Sequence, residues 1–108
     1  MKNILITGGA GLVGSVLTKG LKDKFNISIL DIKKVDGVDS HTGDISNIDS
    51  IVPAFKGIDT VVHLAGDRRV YGDWDSILNN NIIGLYNIYE AARLSGVKRV
   101  IFAISQLA

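Results

Sequence analysis

Thr7-Gly8-Gly9-Ala10-Gly11-Leu12-Val13-Gly14-Ser15 follows without a break on Lys2-Asn3-Ile4-Leu5-Ile6, and the reading of that junction decides the fold. The first run is short, apolar and rich in β-forming residues. Beyond the glycines, Leu12, Val13, Val16, Leu17 and Leu21 recur at the spacing of one helix face. The junction therefore reads as strand, glycine turn, helix N-terminus. First-turn N–H groups of a helix lack intrahelical acceptors, and the macrodipole adds roughly half a positive charge there, so such a turn favours an anion. Each glycine of the 8, 11, 14 series has a task. Gly8 turns the chain off the strand, Gly11 leaves room for a pyrophosphate, and Gly14 lets the helix pack closely.

Two glycine spacings overlap here, Gly-x-Gly-x-x-Gly from Gly9 and Gly-x-x-Gly-x-x-Gly from Gly8. Neither is specific by itself in a chain with 12 glycines among 108 residues. The flanking strand and helix add weight, and so does an acidic residue further on. Asp31 stands 17 residues after Gly14, at the end of a second apolar run, Ile27-Ser28-Ile29-Leu30. A carboxylate there can accept both hydroxyls of an adenosine ribose and repels a 2′-phosphate, so NAD is expected ahead of NADP. Lys33-Lys34 pulls weakly the other way.

Strands and helices alternate along the rest of the chain, the mark of a parallel sheet covered on both faces. Strands are expected near 3–7, 27–31, 40–43, 60–65 and 99–104, and helices near 12–24, 48–56 and 75–95. Lys19, Lys22 and Lys24 suit the negative end of the first helix. Pro53 should shorten or kink the second. Ile77, Asn81, Leu85, Ile88 and Ala92 trace the buried stripe of the third, with Gly96 as its stop. Right-handed crossovers then give an α/β, doubly wound parallel sheet in the order 3-2-1-4-5. In that layout Thr7–Ser15, Asp31, Gly43-Asp44, Leu64-Ala65-Gly66 and Ser105 gather at the carboxyl edge. That convergence is the strongest sequence argument for a dinucleotide site.

Composition sets limits on the alternatives. The length fits one domain, 1–108, and 46% hydrophobic residues fit a folded core. The formal net charge is +1, and Lys33-Lys34 and Arg68-Arg69 are the longest basic runs, too short for a nucleic-acid footprint. With no cysteine, disulfide and thiolate chemistry are excluded. No run approaches the ~18 apolar residues of a membrane span, and a strand begins at once, so a cytoplasmic protein without membrane or nucleic-acid partners is expected.

Smaller features carry two readings each. Asp44 could accept from an adenine amino group with Ile45 packed on the ring, or Asp44 or Ser46 could cap the next helix. Ala65-Gly66 could line a cofactor or serve as a plain strand exit. His63, inside Val61-Val62-His63-Leu64, is expected to be a packed strand residue, since two distant histidines make no metal site. Asn81 needs hydrogen-bond partners if its stripe is buried, unlike its neighbours Asn79 and Asn80. Ser105 ends the last strand and could bind a substrate oxygen, with no activating partner evident.

Together these residues resemble the extended short-chain dehydrogenase/reductase family, the NAD-dependent epimerases and dehydratases of sugars. The resemblance rests on Thr7–Gly14, Asp31, Gly43-Asp44-Ile45, Asp59–Gly66, Asn81-Ile82-Ile83-Gly84 with Glu90-Ala91-Ala92, and Val97–Phe102. Trp74–Arg99 is similar to the uronate-dehydrogenase-like branch in particular. The resemblance implies a Rossmann-like NAD-binding domain. Gly8, Gly11, Gly14 and the N–H groups of Leu12 and Val13 would hold the pyrophosphate, Asp31 the ribose, Asp44 and Ile45 the adenine. Ala65 and Gly66 would line the cofactor, Asn81 would support the active site, and Ser105 would match the catalytic serine.

The family's acid/base pair, Tyr-x-x-x-Lys, is missing from these residues. Tyr71, Tyr86 and Tyr89 are not followed by lysine at that spacing. Tyr89 has Arg93 there, but in the wrong place in the motif order. The family's substrate-binding half is also missing, so the chain reads as truncated after its fifth strand. The expectation is the NAD-binding portion of a nucleotide-sugar or uronate epimerase, dehydratase or dehydrogenase, inactive alone and meeting a sugar only when completed by further sequence. The alternatives are a stand-alone NAD(H)-binding module without chemistry, or a decayed remnant. An apolar last strand at a sheet edge is expected to self-associate.

Overall fold

A computed structural model describes residues 2–9, 11–64 and 82–102. Its described strands form one parallel sheet: β1 (Asn3–Thr7), β2 (Asn26–Asp31), β3 (Asp39–Thr42), β4 (Thr60–His63) and β5 (Arg99–Phe102), in the order β3-β2-β1-β4-β5. This is the order that the right-handed crossover rule requires. The register is continuous across the centre, where Ile6 lies between Ile29 and Val62, and Thr7 between Leu30 and His63. The amino ends are tied by Asp59. Its carboxylate accepts the Asn3 N–H at 2.8 Å, and its carbonyl accepts from Lys98 at 3.0 Å.

Because side chains alternate across a strand, the sheet has two separate faces. Leu5, Leu30 and Val61 point to one, where they pack with Phe55, Ile51, Ile45, Ile88, Ala91 and Ala92 into the main core. Helices α2 (Ile48–Ile51) and α3 (Gly84–Ser95) cover this face, together with a 3-10 turn at Val52–Phe55. Ile4, Ile6 and Ile29, all buried, point the other way, toward the side of α1 (Leu12–Leu21). Continuous apolar runs such as Ile4-Leu5-Ile6 follow from burial on both faces.

Several boundaries and faces differ from the sequence expectation. The first helix stops at Leu21, so only Lys19 lies in its last turn. Pro53 sits at the start of the 3-10 turn, and the expected helix 48–56 is therefore split, since proline cannot donate the internal bond of a continued α-helix. The buried stripe of α3 is Gly84, Asn87, Ile88, Ala91 and Ala92, rotated from the expected one, with Leu85 half-buried. Among the α1 residues whose burial is described, the buried positions are Gly14 and Thr18, whereas Val13 and Val16 are 47% and 60% exposed. The glycine explains this rotation. A Cβ at Gly14 would lie 2.5 Å from the Gly9 Cα, so α1 can approach the preceding loop only along its side-chain-free edge.

No helix among the described residues is long and apolar enough to cross a membrane.

Candidate functional site

Three backbone hydrogen bonds knit the carboxyl ends of the strands into one rim. Gly8 N–H donates to Leu30 O at 2.9 Å, Gly43 N–H to Asp31 O at 3.0 Å, and Leu64 N–H to Thr7 O at 3.0 Å. The glycine turn, Asp31, the Gly43–Ser46 loop and Leu64 are thereby brought to one edge, as the layout requires. Ala65, Gly66, Asn81 and Ser105 lie outside the described residues.

The glycine turn is built by steric exclusion. Gly8 adopts φ +77, a left-handed conformation that glycine takes without Cβ strain, and the chain reverses there. Gly11 is the N-terminal flank of α1, and its carbonyl accepts the first helical bond from Ser15 N–H at 2.9 Å. A Cβ at Gly14 would also come within 2.7 Å of Gly8 O, leaving the turn and the helix start in direct backbone contact. Gly9 is constrained by a side chain instead of backbone, because a Cβ there would fall 2.5 Å from Ile29 Cγ2. The spacing rule overlooks that role, since Ile29 belongs to the neighbouring strand.

The two described helix starts on this edge differ in charge. α2 has its own anionic help: Asn47 Oδ1 accepts from Asp49 N–H at 3.2 Å, and Asp49 places a carboxylate in the first turn. α1 has neither a capping side chain nor an acidic residue in its first turn. Its positive end, with the backbone of Leu12 and Val13, is left for a group from outside the helix. A glycine-rich turn leading to an uncapped helix start suits a pyrophosphate by sign.

Asp31 ends β2 beside this turn, half-exposed, and its Oδ1 accepts the Lys33 N–H at 3.2 Å. One carboxylate oxygen thus shapes its own turn while the residue faces the edge. In the following loop Asp44 is exposed, and its Oδ1 accepts from Ser46 N–H at 2.9 Å and from Ser46 Oγ at 2.8 Å. The helix cap is Asn47, not Asp44 or Ser46. Ser50 Oγ accepts the Asp44 N–H at 3.1 Å, bracing the loop from α2. Ile45 turns inward, 7% exposed, into the main core.

Two further polar groups of this region escape a reading by motif. Asn87, buried in α3, donates through Nδ2 to Ile45 O at 2.9 Å. Its position three residues after Gly84 and four before Ala91 is the signal that could have placed it on the buried face. Thr7 Oγ1 and His63 Nδ1 lie 2.7 Å apart, and Leu64 N–H donates to the same hydroxyl at 3.1 Å. His63 stacks on Phe102 with ring centroids 5.5 Å apart, and burial lowers its pKa to about 4. It is a neutral, packed strand residue, as its sequence context suggests. Tyr89 and Arg93 are both exposed on α3, and Arg93 Nε donates to Glu90 at 3.1 Å.

Comparison with known proteins follows the same lines. The model of the NAD dependent epimerase/dehydratase family matches residues 4–108. An L-arabinose 1-dehydrogenase (NAD(P)(+)) of Haloferax volcanii is 38% identical over 103 residues, which take in 95% of this chain and 41% of that protein. A uronate dehydrogenase of Pseudomonas syringae pv. tomato is 38% identical over 108 residues, covering 94% of this chain and 39% of the relative. Among solved structures, a mutant uronate dehydrogenase of Agrobacterium tumefaciens complexed with NAD superposes with a TM-score of 0.88 at 35% identity. The match covers 97% of this chain and 41% of that one. The chain thus spans about two-fifths of the length of these relatives.

Proposed function

The chain belongs to the NAD-dependent epimerase/dehydratase family, and from that membership we propose that it binds NAD along the carboxyl edge of its sheet. The pyrophosphate lies against Gly8, Gly11 and Gly14 and the N–H groups of Leu12 and Val13. Asp31 accepts the adenosine ribose hydroxyls, and Ala65 and Gly66 are assigned to the cofactor. Asp44 meets the adenine beside the backbone of Ile45, whose side chain is turned into the core instead of onto the ring. The observation that carries this reading is the uncapped start of α1, held in direct contact with the glycine turn because Gly14 has no Cβ to strike the Gly8–Gly9 backbone. The relatives are dehydrogenases of sugars and uronates, which supports a carbohydrate partner for the complete site.

When bound, NAD supplies a hydride acceptor at its nicotinamide ring. The chain's own residues bind and orient it. Ser105 is assigned to the reacting oxygen and Asn81 to support beneath it. Without a Tyr-x-x-x-Lys pair, these 108 residues bind the dinucleotide but do not turn it over.

Calorimetric titration tests this directly. Saturable heat with NAD is expected, and Asp31→Ala should weaken it roughly tenfold or more, the weight of a charge-assisted hydrogen bond. No heat and no thermal shift at millimolar NAD overturns the reading. An unchanged dissociation constant in Asp31→Ala removes Asp31 from the ribose.

A further inference from the structure

The amide of Asn87 occupies a position where an apolar residue would cost less. Its neighbours on the buried face of α3 are Gly84, Ile88 and Ala91, and the side chain is only 7% exposed. A buried amide is tolerated where it is bonded. Its bond to Ile45 O spans 42 positions of sequence and leads straight to the loop after β3. That loop is anchored at its start by Gly43 N–H on Asp31 O, and in its middle by Asn87. Asp44 lies between the two anchors, with both Ser46 donors on Oδ1. At its start the loop already lies close against α2, where a Cβ on Gly43 would meet Ser50 O at 2.8 Å.

We propose that Asn87 is the positioning residue of the base subsite, holding the Ile45 carbonyl so that Asp44 meets a purine bearing an exocyclic amine. Asn87 touches no ligand itself. It fixes the depth of Ile45 and, through one peptide unit, the reach of the Asp44 carboxylate over the sheet edge. An amine at that place donates to the carboxylate, whereas the carbonyl of hypoxanthine presents an acceptor to an acceptor and is disfavoured. The inference rests on the proposal that the Asp44 loop takes the adenine end of NAD.

The test compares binding of NAD and nicotinamide hypoxanthine dinucleotide to the wild-type chain, Asn87→Leu and Asn87→Ser. The wild type is expected to prefer NAD by about tenfold, the weight of one hydrogen bond to a charged group. In Asn87→Leu the preference should fall to within about twofold, mainly through loss of NAD affinity. Asn87→Ser shortens the side chain without adding bulk and should behave alike, so the test stands if the leucine variant fails to fold. A merely structural role would weaken both dinucleotides by one factor and leave their ratio unchanged, which overturns the inference. Equal binding of both by the wild type overturns it as well. Failure of the wild type to bind either one sinks the parent reading instead.

Discussion

One methyl group at residue 14 would place a carbon 2.5 Å from Gly9 Cα and 2.7 Å from Gly8 O. Both neighbours are backbone, so neither can rotate aside, and the helix start must move away from the turn. Gly14→Ala is therefore expected to cost on the order of 1–3 kcal/mol, the range for overpacking a tight contact. It should also abolish NAD binding in whatever fraction stays folded; urea unfolding and titration measure the two effects separately. Full affinity in that variant would break the link between turn and ligand. At His63 the expectation is a pH effect. Its folded pKa lies near 4, below the ordinary 6.5, so between those values the unfolded chain binds more protons and stability rises with pH. This contribution is intact above about pH 6.5 and is lost as pH falls toward 4. It amounts to about 3 kcal/mol at most by proton linkage. The stability gap between wild type and His63→Leu should narrow across that window, and a gap constant from pH 7 to 4 would contradict it. At this scale motif spacing reveals Gly8, Gly14 and Asp31, whose tasks depend on residues close in the chain. It includes Gly9 without giving its task and is silent on Asn87, because the reasons are Ile29 and Ile45, 20 and 42 positions away.

Between elements, the same division holds. Strand positions and order are legible because apolar runs, glycine turns and crossover handedness act locally or by topology. Helix rotation is not. In α1 an apolar stripe through Val13 and Val16 competes with the small stripe through Gly14 and Thr18, and close approach decides for the second. In α3 the buried face passes through Asn87, which a hydrophobicity pattern assigns to solvent. The end of α3, by contrast, was readable. Gly96 adopts φ +75 there, Val97 N–H reaches back to Ala92 O at 3.0 Å, and nothing lies within 4 Å of a Cβ at that position. Gly96→Ala is accordingly a test of backbone conformation with no steric clash attached. It should destabilise by about 1 kcal/mol, read as a lower urea midpoint with unchanged slope. A neutral outcome would mean that the left-handed stop contributes little to holding α3.

At the scale of the whole molecule the two edges of the sheet are dissimilar. β3 presents Asp39-Ser40-His41-Thr42, a short polar strand of the kind that discourages further pairing. β5 presents Arg99-Val100-Ile101-Phe102, with Ile101 46% and Phe102 43% exposed, and no described strand pairs with its outer side. Ile101 lies on the sheet face opposite the main core, so it adds an apolar side chain to an open row of backbone donors and acceptors. Two copies can satisfy both features at once by pairing β5 with β5 antiparallel, the arrangement a two-fold axis imposes on identical edges. In that pairing Ile101 lies opposite its own symmetry mate, with Val100 of each copy facing Phe102 of the other. We therefore expect the 108-residue chain to associate as its concentration rises, seen as a sedimentation coefficient that increases between micromolar and sub-millimolar protein. Ile101→Lys should restore a concentration-independent monomer, because a charge at the centre of the strand opposes its own symmetry mate. NAD binding should survive in that variant, since β5 lies two strands away from β1, which leads into the Gly8–Gly14 turn. A wild-type chain that sediments as a monomer throughout the range would show that this edge is shielded by other means.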